Sequence, residues 1–354
     1  MRTPLLALAL GILALPAAAQ TIEELTRSLP PHVSVLTTWG MRPEWDETSE
    51  NVYFLHRLVG DVFKVNVKTR EITPVSVNVH HGGIQRCLVL SNGDLLLGIG
   101  DIDTGDIERD KEELGLFVLK KNEPTRLYPL GETCEEGPAV SRESLKIAWT
   151  TPGQLDIRVG EIVYESGVPK LVDRKTIVSY REATGIVRLE TQDFRPPDDR
   201  ELVFTHYSGN AGDPFFNSEV YGYDFASGKI VDYTKSPESY DEAEGIFPDG
   251  QFTMIESDRH LPKGLRNKYK VDIFRLKLDG SGETEQLADL AQRFPDTLRS
   301  DNPVVDRTGR YVAYQFGFSR GAGARGQGIL LLDLQKRAES GRRRVPARGA
   351  AERP

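Results

Sequence analysis

Charged and amide side chains recur in this sequence just ahead of short apolar stretches. Glu136, Asp193, Glu242, Glu244 and Asp301 occupy such places, as do Arg42, Gln85, Arg86 and Gln192. Carboxylates that converge repel one another unless a cation or a basic group lies between them. Ligand sets made of oxygen alone suit hard divalent cations. The plainer alternative is that each acid points to solvent at a strand end, met by backbone N–H groups and water. These residues form the candidate ligand-binding set, with Arg42 and Arg86 as candidate substrate clamps and a divalent metal as the candidate cofactor.

The sequence contains six histidines. His81 stands just before one apolar stretch, His206 ends another, and His260 follows a third. Neutral imidazoles from separate segments can share a Mn, Fe or Zn ion, so His81, His206 and His260 are candidate ligands. A solvated loop histidine is the simpler reading. The string DIDTGDIERD resembles half of a calcium loop, but Gly105 stands where a further acid is required, so a solvated acidic loop is expected. Ser257, Asp258 and His260 are neighbours in sequence, which does not make a catalytic triad. No phosphate-binding glycine loop precedes a helix. Without a catalytic signature the balance tips away from an enzyme.

The elements that must position these groups follow from an internal repeat. A turn of Asp, Gly, Ser or Asn precedes an apolar strand, then a loop, then a second apolar strand. Six copies lie near 42–72, 87–128, 137–174, 192–234, 244–288 and 302–334. Aligned on the turn, they place Phe54, Trp149, Phe204, Ile255 and Tyr314 in one column. Val52, Ile147, Leu202, Thr253 and Val312 form a second column two residues earlier. A period of two marks half-buried strands, and Asn92-Gly93 and Asp249-Gly250 supply the reversals. Helical patterning is nearly absent, which excludes a parallel βαβ architecture. The expected fold is an all-β, six-bladed β-propeller over residues 21–335. The last copy lacks an outer strand, and residues 32–38 form an orphan strand; together they predict a ring closed by the N-terminal strand. In such a ring the starts of the inner strands share one face, here the upper face. So do the loops 99–114, 205–217, 257–270 and 316–327, and ligands are expected there.

The fifth copy carries a family resemblance. Pro248-Asp249-Gly250, Ser257-Asp258-Arg259 and Asp272-Ile273-Phe274 resemble the repeat of TolB-like periplasmic propellers, a WD40-like repeat. The resemblance implies a fold more than a function. No separate N-terminal domain of the TolB type is visible, so TolB itself is not expected. Some oligogalacturonide lyases are similar propellers that hold a metal through His and Gln side chains; their ligand spacing is not reproduced here.

Residues 1–20 read as a secretory signal peptide: Arg2, an apolar run from Leu5 to Leu15, and a small-residue zone at Ala17-Ala18-Ala19, with cleavage near residue 19. The expected location is periplasmic or secreted. No other stretch is apolar enough to cross a membrane. The formal charge is −8, although residues 336–354 carry seven basic residues against Glu339 and Glu352. That tail is expected to be disordered. The acidic remainder repels phosphate backbones, so nucleic acid is not an expected partner. Cys87 and Cys134 are either a bridge or two separate buried thiols. The leading functional expectation is a monomeric binding or scaffold module for an envelope protein or glycan. The alternative is a metal-dependent carbohydrate-active enzyme resembling oligogalacturonide lyase, with its site on the upper face.

Overall fold

The computed structural model describes residues 17–100, 112–180, 187–209, 217–295, 297–318 and 326–343. Along the strand Met41–Trp45, buried Met41, Pro43 and Trp45 alternate with half-buried Arg42 and Glu44, as a period of two requires. Repetition of this pattern builds six four-stranded antiparallel sheets. Blade 1 spans 41–74, blade 2 spans 84–134, blade 3 spans 139–179, blade 4 spans 187–232 and blade 5 spans 241–286. Blade 6 takes three strands from 298–333 and its outermost strand, Val33–Thr37, from the other end of the chain. Val33, Ser34 and Val35 pair with Leu332, Leu331 and Leu330, so the ring closes as expected. The six-bladed propeller with N-terminal closure is therefore observed.

Both apolar columns lie on the second strands of their blades and are buried throughout. Six separate apolar cores lie one between each pair of neighbouring blades, and the columns feed all of them except the one between blades 1 and 2. Cys87 enters the core between blades 1 and 2, and Cys134 enters the core between blades 2 and 3. The two thiols thus face opposite sides of one blade, and both are free.

Two helices flank the ring. Ala17–Ser28 is a helix despite the near absence of helical patterning, and its Leu25 is buried in the core between blades 5 and 6. Leu334–Arg343 occupies the start of the stretch expected to be disordered, and Arg337 there contacts Glu285 at 2.6 Å. The string 101–110, most of residues 1–20 and residues 344–354 lie outside the described residues. Among the described residues no helix is long and apolar enough to cross a membrane.

The inner strands do not run regularly. Register shifts occur at Met41/Glu44, Ile84/Arg86, Thr191/Asp193, Ala243/Ile246 and Asp301/Val304. An extra residue at such a bulge bends the strand and re-aims a side chain. Arg42, Glu136 and Asn302 also adopt φ of 52°, 58° and 46°, a left-handed conformation that residues with a Cβ rarely hold. Irregular backbone of this kind clusters where function demands it. Here it lies on the wall of the central channel.

Candidate functional site

A cavity on the channel axis is lined from all six blades. Arg42, Arg86, Glu190 and Glu244 stand toward the upper face, and Glu44, Arg142 and Asp193 toward the lower. Arg86 is the hub of the upper part. Its Nη2 lies 2.7 Å from Glu190 Oε1 and 3.2 Å from Glu136 Oε2. Arg42 Nη2 approaches the same Glu136 oxygen at 3.8 Å. Tyr207 donates its hydroxyl to Glu190 Oε2 at 2.7 Å. Room for this cluster depends on Gly137: a Cβ there would come within 3.2 Å of Arg86 Nε and 3.3 Å of Glu190 Oε1.

Blade 5 supplies the sharpest chemical feature. Carboxylate oxygens of Glu242, Glu244 and Glu256 lie within 4.8 Å of one another. Glu242 and Glu244 share one face of the inner strand, and Glu256 is the cross-strand partner of Glu242 on Phe252–Ser257. Asn302 donates to Glu244 Oε1 at 2.9 Å, and Tyr240 donates its hydroxyl to Glu242. Burial raises all three carboxyls, and a neighbouring carboxylate adds to it in each case: Glu244 on Glu242, Glu190 on Glu244 and Glu242 on Glu256. Glu244 is pushed up to about 7. Glu190 is raised by burial and by the Glu242 charge, with Arg86 opposing. The arginines respond in opposite ways. Burial and the Arg86 charge bring Arg42 down to about 10. Burial opposes charge on Arg86, but Glu190 and Glu136 outweigh it and its pKa rises.

Three half-buried or buried carboxylates at this spacing can chelate a divalent ion. This finding reverses the sequence expectation of a non-enzymatic ring. The cluster reaches the axial cavity through Glu244, which lines it together with Arg42 and Arg86, and oxygen ligands beside guanidinium groups are apparatus that metal-dependent catalysis uses. The candidate cofactor, a divalent metal, has a fitting donor set.

The other sequence candidates distribute as follows. Asp301 is buried and pairs with Arg299 at 2.6 Å. Gln192 lines the cavity, its Nε2 3.4 Å from Thr205 Oγ1. Asp193 accepts a backbone bond from Ile246 at 3.0 Å. Gln85 is buried beside the cavity without lining it. The histidines do not gather. His81 contacts Asp61 at 3.1 Å, His206 packs between Tyr180 and Tyr221, and His260 stacks on Phe274. Among the described residues, the Glu242–Glu244–Glu256 group is the one set of three or more potential ligands in reach of one ion, and no histidine belongs to it. These three imidazoles are held by separate partners at different places in the ring, which keeps them apart. Arg259 clamps Asp241 with two bonds of 2.8 Å, and Asp258 accepts from Tyr240 N at 3.1 Å, so both members of the Ser257-Asp258-Arg259 string brace their loop.

Sequence reasoning did not single out Glu256, Asn302, Tyr207, Arg142 or Glu44. The signal for Glu256 was the Pro248-Asp249-Gly250 turn, which folds its strand back beside Glu242. A regular hairpin from that turn would set Ser257 opposite Glu242. The one-residue bulge between Ala243 and Ile246 sets Glu256 there instead.

No protein-family model and no curated protein sequence matches the chain. Among solved structures it is similar to TolB from Acinetobacter baumannii, at 12% identity over 89% of this chain and 68% of that one, with a TM-score of 0.50. It is also similar to an oligogalacturonate lyase in complex with manganese, at 10% identity over 82% and 76% of the two chains and a TM-score of 0.47. A third likeness is to Kuenenia stuttgartiensis hydrazine synthase, at 15% identity over 87% and 80% with a TM-score of 0.47. At these identities the likeness is one of fold. The chain is a six-bladed propeller whose fold is similar to that of TolB, without TolB's identity.

Proposed function

We propose that this propeller is an exported, divalent-metal-dependent enzyme acting on an anionic glycan at the upper end of its axial channel. The observation that carries the reading is the approach of Glu242, Glu244 and Glu256 within 4.8 Å. Three carboxylates so close cannot all ionise unless a cation sits among them. A bound divalent ion would polarise a substrate oxygen and stabilise negative charge developing on it.

The surrounding side chains suit the same chemistry. Arg42 and Arg86 each present a buried Nε without a hydrogen-bond partner, beside the cavity. They would hold a substrate carboxylate, since guanidinium groups match that geometry. Glu190, raised by burial and fixed by Tyr207 and Arg86, is the group placed to exchange a proton with a bound sugar. A uronate-containing oligosaccharide fits these requirements, and export to the periplasm would bring the enzyme to it. Residues 1–20 acting as a signal peptide, 21–335 as the catalytic ring and 336–354 as an appendage complete the reading.

Elemental analysis of the purified protein tests it first. About one equivalent of Mn, Fe, Zn or Ca per chain is expected, or stoichiometric uptake on titration. Uronate oligosaccharides should then be cleaved only in the loaded protein. Failure to bind any of these ions would sink the proposal.

A further inference from the structure

The lower end of the same cavity contains an arginine that the proposed chemistry does not use. Arg142 lies in the turn after the inner strand of blade 3 and lines the cavity. Its Nη1 is buried and has no hydrogen-bond partner, and its Nη2 stands 3.8 Å from Asp193, beyond hydrogen-bonding distance. The facing Asp193 oxygen already accepts from Ile246 N at 3.0 Å. Gly245 of blade 5 approaches the same guanidinium: a Cβ there would be in ordinary contact, 3.7 Å from Arg142 Nη2.

The backbone of Arg142 is held from across the ring. Arg307 of blade 6, the blade opposite, donates Nη1 to the Arg142 carbonyl at 2.7 Å. Arg307 is itself fixed by its N–H to Ser49 of blade 1 at 3.0 Å. This link spans the lower end of the channel, brings two like charges together and holds Arg142 as part of a floor. A half-buried guanidinium with a buried, unmet donor is costly, and a planar oxyanion accepting two parallel bonds is its best complement.

We propose that Arg142 is an oxyanion subsite at the floor of the channel, taking a carboxylate or phosphate group of a ligand that enters from the upper face. It shares the cavity of the proposed metal centre but does not depend on a metal being bound there.

The test is calorimetric titration of the metal-free protein, in chelator, with inorganic phosphate in one arm and D-galacturonate in the other. At least one probe should bind, and the arm that responds identifies phosphate or carboxylate as the preferred group. Arg142→Gln should weaken that binding about tenfold or more, the loss of a charge-assisted bond. Manganese affinity of the same variant should stay within about threefold, showing that the ring is intact. Arg142→Lys keeps the charge but loses the fork, so it should weaken the probe by about threefold or more and decides the matter if the Gln variant does not fold. Absence of binding by both probes would mean that only water meets Arg142, and would overturn the proposal. So would unchanged affinity in the Arg142 variants, or a loss that follows Arg42→Gln instead. Failure of manganese to bind the parent protein would sink the metal centre and leave the anion arms fully readable.

Discussion

Glu242, Glu244 and Glu256 set the chemical character of the channel because burial raises the proton affinity of each and neighbouring carboxylates raise it further. Glu244→Gln removes one ligand oxygen charge and should weaken manganese binding at least tenfold by calorimetry. The same carboxyls predict a pH dependence. Their folded pKa lies above the unfolded one, so the folded state holds more protons and metal-free stability falls as pH rises from about 4.5 through about 7. Metal binding needs the deprotonated form, so manganese should raise Tm strongly at pH 8 and little at pH 5. A Tm insensitive to pH without metal would contradict the arrangement. The thiols offer an independent check at this scale. Burial raises both, Cys134 to about 12, so neither should react with a thiol reagent at pH 8 until the chain is unfolded.

Strands convert these residue properties into a site. The inner strand of each blade carries side chains to the axis, and bulges decide which ones arrive. The turns below them are pinned by aspartates: Asp46 accepts from Thr48, Glu50 and Asn51, and Asp306 accepts from Thr308, Arg310 and Tyr311. Turn aspartates of this kind were legible in the repeat, because a short acceptor that bonds its own backbone is a local property. The closing strand Val33–Thr37 has a global role. Leu36 is buried in the core between blades 6 and 1 with Trp45, Phe54 and Ile329. Leu36→Ala should therefore cost about 2–4 kcal/mol in urea unfolding, far more than an outer strand of a blade closed within itself. A change below about 0.5 kcal/mol would mean that the strand does not hold the ring shut.

The whole molecule is a ring whose apolar cores each join two neighbouring blades, so the channel exists only when all six are in place. Its six inner strands abut around the axis, and long side chains such as Arg307, which reaches Arg142, join opposite blades. Leu25 of the N-terminal helix is buried against blades 5 and 6, so a mature chain beginning near residue 20 keeps that anchor. N-terminal sequencing of protein recovered from the periplasmic fraction should start near Gln20. A retained Met1 in exported protein would refute cleavage at that point.

Blade number, the apolar columns and closure by the N-terminal strand could be determined from the sequence alone. Strand period, turn residues and a missing last strand are local or repetitive features, and repetition makes each copy vouch for the others. The acids at the inner-strand starts were visible for the same reason. Which of them act together was not. Sequence gave no notice that Glu256 would replace Ser257 opposite Glu242, because one bulged residue shifts a register without changing composition. It could not exclude a shared histidine site, since that depends on which way separate blades turn His81, His206 and His260. Nor could it bring Arg142 and Arg307, 165 residues apart, to the same end of the channel. Those decisions belong to ring closure, which fixes distances between blades that no local pattern encodes.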